Sequence, residues 1–430
     1  MFNVRLILFL PFLLANQSVT AADMESLLKH YRHLHQNPEL SLQESKTADY
    51  LATQLQSMGY AVTRGIGGNG LVAILENGAG KTILYRADMD ALPVEEQTGL
   101  PFKSKVTTER NGELVPVMHA CGHDVHMTVL LGVAQEMVKD RDHWQGRLIL
   151  ILQPAEEIGA GAKNMLADGL FKRFPLPDYN LAFHVTPDLP AGKIAYVSGY
   201  AMANVDSVDI TVFGVGGHGA FPHKAKDPVV IASQIVLALQ TIISRELSPL
   251  EPAVITVGSI HGGTKNNIIP DEVKLQLTVR SYADEIRDFL LSRIREISEG
   301  IARTAGMPDD KLPRILIKDE YTPSVYNNPQ LIERIVPVLQ KALGNESVVE
   351  TQAVMGGEDF ARYGRTEQKI PGAMLFLGAT NLQQFLKAQA NGENLPALHS
   401  PFFAPDARPT ITTGVTSMTA LLEALFLKAE

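Results

Sequence analysis

Eight consecutive residues, His119-Ala120-Cys121-Gly122-His123-Asp124-Val125-His126, hold the chain's only cysteine and three of its twelve histidines. Thiolate and imidazole are donors for soft and borderline metal ions. Gly122 lets the backbone turn tightly enough for Cys121 and His123 to reach one ion. The apolar series Val129, Leu130, Leu131, Val133, Ala134, Met137 and Val138 follows at once. The cluster therefore sits where a loop enters a helix, with Asp124 as the expected N-cap. The plainer alternative is a buried cysteine beside polar cap residues. If the metal reading holds, the fold must bring other donors to this point.

The pattern of apolar runs supplies candidates. Strands are expected at Leu71–Leu75, 83–87, 148–152, 181–183 and 374–377. The run at 148–152 is continuous, as in a parallel sheet buried on both faces. Three of these strands run into acids or a histidine: 83–87 into Asp88-Met89-Asp90, 148–152 into Gln153-Pro154-Ala155-Glu156-Glu157, and 181–183 into His184. In open α/β sheets the functional crevice lies beyond the carboxyl ends of the strands. Together with the histidine-rich cluster, four separate pieces of sequence point to one sheet edge.

A chain of 430 residues exceeds one compact core, so two domains are expected. Two helices fill 24–60, the second from about Glu44 to Met58. From about Asn204 the pattern changes to a period-2 strand at 205–212, an apolar helix at 228–247, strands at 253–260 and 273–280, and a helix at 283–304. That is an α+β unit in βαββα order. A helix at 330–343, strand 374–377 and a C-terminal helix resume the first pattern. The expected division is a catalytic domain in two segments, 23–203 and 311–430, with an inserted lid or dimerisation domain at 204–310.

The first residues differ in kind. Arg5 precedes an apolar stretch from Leu6 to Ala15, and Val19-Thr20-Ala21-Ala22 follows. This reads as a signal peptide at 1–22, its apolar core too short to be a comfortable membrane span. A buried helix or an uncleaved anchor is the alternative. Export to the periplasm or medium is expected, with no membrane partner after cleavage. One cysteine allows no internal disulfide. The net charge of −9 and the absence of a dense Lys/Arg run argue against nucleic acid.

Adjacent carboxylates at a strand end can divide labour. Neighbours in an extended segment point opposite ways, so one of Glu156 and Glu157 can ligate metal while the other acts as general base. Asp88 and Asp90 can ligate, orient a ligand histidine, or simply close a turn. The Gly214–His223 stretch lacks the surroundings of a nucleotide loop and reads as a glycine-rich loop that presents His218, or as an ordinary hairpin. Arg280, at a strand end, can clamp a carboxylate or stand exposed. Nothing local singles out His399.

Taken together, Arg86–Pro93, His119–His126, Gln153–Ala162, Gly217–His223, Asn267–Glu272 and Met355–Phe360 resemble the M20 metallopeptidase family, in particular its amidohydrolase branch. The resemblance runs from about His30 to the C-terminal helix. It implies a two-metal centre on an α/β domain, and a homodimer. Cys121 looks like a bridging ligand. His123, Glu157, His184 and His399 match the remaining ligands, Glu156 the general base, and Asp90 the acid that supports the ligands from behind. His218 and Asn267 look like contacts to the oxyanion and substrate carbonyl, and Arg280 like the holder of the substrate carboxylate. Lys265-Asn266 and Ile158 depart from the branch's usual residues without removing a ligand or base.

The expectation is thus an exported amidohydrolase that uses two divalent ions, zinc or manganese first and cobalt or nickel next. Its substrate would be a small N-acyl or N-aroyl amino acid. The alternatives are a dipeptidase or carboxypeptidase, or a binder of acyl-amino acids or metal without turnover.

Overall fold

The computed structural model describes residues 20–427. The expected leader therefore lies almost wholly outside the described residues. Helix α1 (Ala21–Gln36) begins two residues before the expected mature start. The side chain of Thr20 caps it by accepting the Asp23 amide. Helix α2 is Ser45–Ser57.

Strands β1 (Ala61–Ile66), β2 (Gly70–Asn77), β3 (Lys81–Asp88), β4 (Gly146–Gln153), β5 (Tyr179–Pro190) and β6 (Ile194–Tyr196) come from the first segment of the chain. After them the chain runs through an inserted unit. That unit contains β7 (Asn204–Phe213), β8 (Ala253–Gly262), β9 (Glu272–Ser281) and β10 (Arg314–Ile317). Strands β11 (Val348–Glu350) and β12 (Gly372–Thr380) then return to the first sheet. Its order is β1-β2-β4-β3-β5-β12-β6-β11. The central four, β4-β3-β5-β12, are mutually parallel, and antiparallel pairs lie outside them. The sheet is thus mixed and largely parallel at its core, as the apolar run of β4 requires.

One face of this sheet packs against α1, α2, α3 (His123–Lys139), α6 (Pro329–Leu343) and α7 (Ala407–Phe426) through a large apolar core that includes Leu51, Leu131, Leu150 and Leu421. A smaller core containing Ile151, Met165, Phe360 and Tyr363 covers the other face. With both faces covered, the residues of β3 and β4 are almost continuously buried.

The inserted unit is a four-stranded antiparallel sheet, β8-β9-β7-β10, packed against α4 (Pro228–Thr241) and α5 (Asp284–Thr304). The boundary expected at residue 310 falls too early. β10 pairs with β7, Ile315 opposite Ile210, so the unit closes at 317. The prolines that read as a return, Pro308 and Pro313, only lead into this last edge strand. Residues 199–202 and 325–327 pair antiparallel and form the two-way link between the units.

Candidate metal centre

Asp88 ends β3, and the turn after β4 carries Glu156 and Glu157. The two glutamates are not in an extended segment, as expected from sequence. Ala155 has φ of 52°, and the chain turns at once over 156–159. His184 also differs from its reading as a strand-end residue. β5 continues to Pro190 because β12 runs beside it beyond the last pair with β3. Gly122, with φ of 78°, starts α3 in the left-handed region that favours glycine, and a Cβ there would meet Val185 Cγ2 at 2.5 Å. Asp124 is therefore not the N-cap. It lies inside the first turn, and its carboxylate pairs with His35 at 2.7 Å.

These turns bring the donors together. Cys121 Sγ lies 3.6 Å from His184 Nε2. His123 Nε2 lies 3.7 Å from Asp88 Oδ2 and 3.9 Å from Glu157 Oε1. His399 Nε2 lies 3.5 Å from the other Glu157 oxygen. Cys121, His123 and His184 form one group of mutually close ligand atoms, and Cys121, Glu157 and His399 a second. All five expected ligands thus meet in two triads that share Cys121. His399 reaches the site with φ of 66° and an amide that donates to Ala120 O at 2.9 Å.

Asp90 organises this arrangement from below. Its carboxylate oxygens accept the amides of Glu156 and Glu157, each at 3.0 Å, and one of them accepts Ser41 Oγ–H at 2.6 Å. Its carbonyl accepts His123 Nδ1–H at 2.8 Å, which leaves Nε2 to face the donors. Glu44 holds the same turn by accepting the Ala155 amide at 2.8 Å. Nothing in the sequence distinguished Glu44. Arg86 lies fully buried under the site and binds Asp88 at 2.6 Å, Glu358 at 2.8 Å and Asp359 at 3.1 Å. Glu156 in turn groups with Glu358 and Asp359. The motif around residues 355–360 was visible in the sequence, but the role of its acids as neighbours of Glu156 was not.

His126 is committed elsewhere. Its Nε2 accepts the Val185 amide at 2.9 Å, so its Nδ1 carries the proton donated to Asp88 at 2.6 Å. His119 is buried with neither ring nitrogen hydrogen-bonded, and burial lowers its pKa to about 4.

Charge explains why this site suits cations. Asp88, Glu358 and Asp359 pair with one guanidinium, that of Arg86, and the Glu156 charge acts on it too, while Asp90 and Glu157 add two more carboxylates to the cluster. Burial, then the Glu358 and Glu157 charges, pushes Glu156 well above the usual carboxylate range. Burial raises Glu157 to about 7 despite His123. At His123 burial opposes the charged ring, but Asp88, Asp90 and Glu157 outweigh it and hold the proton up to about 10. Burial, then His126, drops His184 to about 3, so it is neutral as a ligand nitrogen must be. His123 Nε2 and Glu157 Oε1 are buried without hydrogen-bond partners. Two orphaned donors facing each other among excess carboxylates fit divalent cations, which would offset that charge.

The substrate-side candidates lie elsewhere. His218 and Asn267 lie on an exposed two-stranded antiparallel ribbon of the inserted unit, where His218 pairs with Ile268 and the Gly219 amide donates to Asn267 O. Among the described residues no hydrogen bond joins this ribbon to the metal-binding cluster. Arg280 is half-buried where the inserted sheet meets the 355–360 loop. It donates to Met355 O at 2.6 Å and has no carboxylate partner among the described residues.

Comparison with known proteins fits this geometry. Residues 84–395 match the model of peptidase family M20/M25/M40. The chain belongs to the M20 family. It is 40% identical over 354 residues to thermostable carboxypeptidase 2 of Saccharolobus solfataricus, covering 81% of this chain and 85% of that one. It is 39% identical over 372 residues to N-acetyldiaminopimelate deacetylase of Leuconostoc citreum, covering 85% and 92%. Among solved structures it resembles the Bacillus subtilis YXEP protein, a dinuclear metal-binding peptidase of the M20 family. That match has a TM-score of 0.74 and 30% identity, and covers 94% of this chain and 99% of that one. This M20 protein is thus a hydrolase of a metal-dependent amidohydrolase and peptidase family, and its two donor triads lie on the α/β fold of that family.

Proposed function

We propose that the protein is an exported amidohydrolase that cleaves the amide bond of N-acyl or N-aroyl amino acids, with Glu156 as general base. The supporting observation is the division between two adjacent glutamates. Glu157 joins His123, Cys121 and His399, while Glu156 also neighbours Glu358 and Asp359. One carboxylate is left for proton transfer beside a complete ligand set.

Cys121, His123, Glu157, His184 and His399 would hold two divalent ions, with Cys121 between them. Mixed sulfur, nitrogen and oxygen donors suit zinc or manganese, and also cobalt or nickel. When bound, such ions lower the pKa of water and polarise a carbonyl oxygen. Glu156 takes the proton from the attacking water as the water oxygen bonds to the amide carbon. It returns that proton to the nitrogen as the C–N bond breaks. Excess negative charge around Glu156 favours its protonated form and so favours proton uptake. Arg280, with no acidic partner among the described residues, binds the substrate carboxylate. His218 and Asn267 steady the oxyanion and the substrate carbonyl. Among the described residues no hydrogen bond ties their two-stranded ribbon to the cluster of its own subunit, and a second copy in a homodimer supplies them. The basic and apolar start of the chain, Arg5 to Ala22, supports export.

A second reading, action on the C-terminal bond of peptides, is favoured by the similarity to the Saccharolobus carboxypeptidase. The deciding experiment is a hydrolysis panel on metal-reconstituted protein, with N-acetyl, N-benzoyl and N-indoleacetyl amino acids beside short peptides. Turnover confined to peptides overturns the proposal, as does metal binding without turnover of any member.

A further inference from the structure

A second cavity, of about 500 Å³, lies between the two units and shares no residue with the metal-binding groups. That volume is within the range of small-molecule sites. Asn180 lines it from the start of β5, four residues before His184, or about 13 Å away along the strand. Tyr200 and Tyr326, from the paired link between the units, form an aromatic wall with ring centroids 5.0 Å apart. Asp284, at the start of α5, reaches across from the inserted unit.

Several polar groups at this cavity have no partner. The Asn180 side chain is fully buried, yet neither its Oδ1 nor its Nδ2 makes a hydrogen bond. Thr366 Oγ1 is likewise buried and unpaired. The five N–H donors of an arginine form a planar fork. Arg365 spends Nη1 on both oxygens of Asp284, each at 2.8 Å, and one Nη2 donor on Ser324 Oγ at 2.6 Å. Its Nε–H and a second Nη2–H have no partner among the described residues. Lys369 adds a cation with no ion pair among those residues. Asp284 offsets one of these two positive charges, so the cavity keeps a net positive balance.

We propose that this cavity is a second ligand site, separate from the metal centre, for a small carboxylate that also carries a neutral amide. An amide group complements both faces of the Asn180 side chain, which offers one acceptor and two donors. A carboxylate takes the unused edge of Arg365 and the charge of Lys369. Because Arg365 and Asp284 join the two units, a ligand on Arg365 touches one of the contacts between them.

Isothermal titration of the metal-reconstituted full chain with succinamate tests the site. The expected result is saturable binding that weakens at least tenfold in Asn180→Leu and in Arg365→Gln and is unchanged in His399→Ala. Should Asn180→Leu fail to fold, Thr366→Val with Arg365→Gln carries the same comparison. No saturable binding at millimolar succinamate overturns the proposal, and so does binding that survives the Asn180 and Arg365 substitutions. Binding lost only in His399→Ala assigns succinamate to the metal centre and also overturns it.

Discussion

The carbonyl oxygen of Asp90 accepts the Nδ1–H of His123 at 2.8 Å. A carbonyl can only accept, so the bond fixes which nitrogen faces the metal donors. The carboxylate of the same residue holds the amides of Glu156 and Glu157. One side chain and its own peptide group thus set His123, a proposed ligand, and the turn that carries Glu156, the proposed base. Asp90→Asn keeps the carbonyl contact but replaces one accepting oxygen by an amide. Residues that orient ligands in this way are worth about 10–100-fold in metal affinity or activity. The expected outcome is a loss of that size in a competition titration with a chelating dye, with thermal stability of the metal-loaded protein little changed. Unaltered affinity would show that the turn positions itself.

Glu156→Gln removes a proton acceptor and keeps the shape. Metal content, read by plasma mass spectrometry, should match wild type, while turnover falls by about 10²–10⁴-fold, the usual worth of general acid–base catalysis. Near-normal turnover would place the base elsewhere.

Stripping the ions should lower thermal stability as well as activity. The six acids of the cluster are then balanced, among the described residues, by Arg86 and a protonated His123. The melting temperature should drop in chelator and recover on adding back a divalent ion. An unchanged melting curve would mean that the acids are neutralised by protons alone.

His35 gives a pH dependence away from the metals. Its ring is buried between Asp124 at 2.7 Å and Glu96 at 3.1 Å, and it packs against Tyr31 and Phe102. Burial works against its charge, but the hydrogen bonds it donates to Asp124 and Glu96 raise it from 6.5 to about 9. The sign follows from the proton count. The stabilisation is complete below about pH 6.5 and is lost as pH rises through about 9, on the order of 3 kcal/mol in all. Differential scanning fluorimetry should show the melting temperature falling over that window, with a shallower slope in His35→Gln. Equal slopes in the two proteins would remove His35 as the cause.

The shared-site proposal has its own test. Glu156→Gln and His218→Ala should each be nearly inactive alone. Mixed and refolded together, they should regain about a quarter of wild-type turnover per subunit, because only half the sites in half the dimers, roughly, are intact. No recovery in a verified mixed dimer would confine His218 to its own subunit or remove it from the reaction.

The α/β sheet and the inserted unit were legible because long apolar runs and period-2 strands are local signals. The shortest strands were not. β6, β10 and β11 have three or four residues each, and only their partners make them strands. Cys121 and His123 announced themselves by crowding, and Glu156-Glu157 by following a fully apolar strand. His399 carried no local signal, since its conformation depends on the distant Ala120 carbonyl. Glu44 was silent for the same reason: its partner Ala155 lies 111 residues away. Arg86 stood in a quoted motif, but its pairing with Glu358, 272 residues on, was not legible.

The two triads draw on donors from both sides of the inserted unit, with Cys121, His123, Glu157 and His184 before it and His399 near the far end. During synthesis the ribosome therefore delivers four donors more than two hundred residues before the fifth. A chain still emerging can hold part of the coordination sphere, but the Cys121–Glu157–His399 half cannot close until nearly the last helix is made. The second triad is thus complete only once His399 has docked on the Ala120 carbonyl, and it is the last part of the site to form.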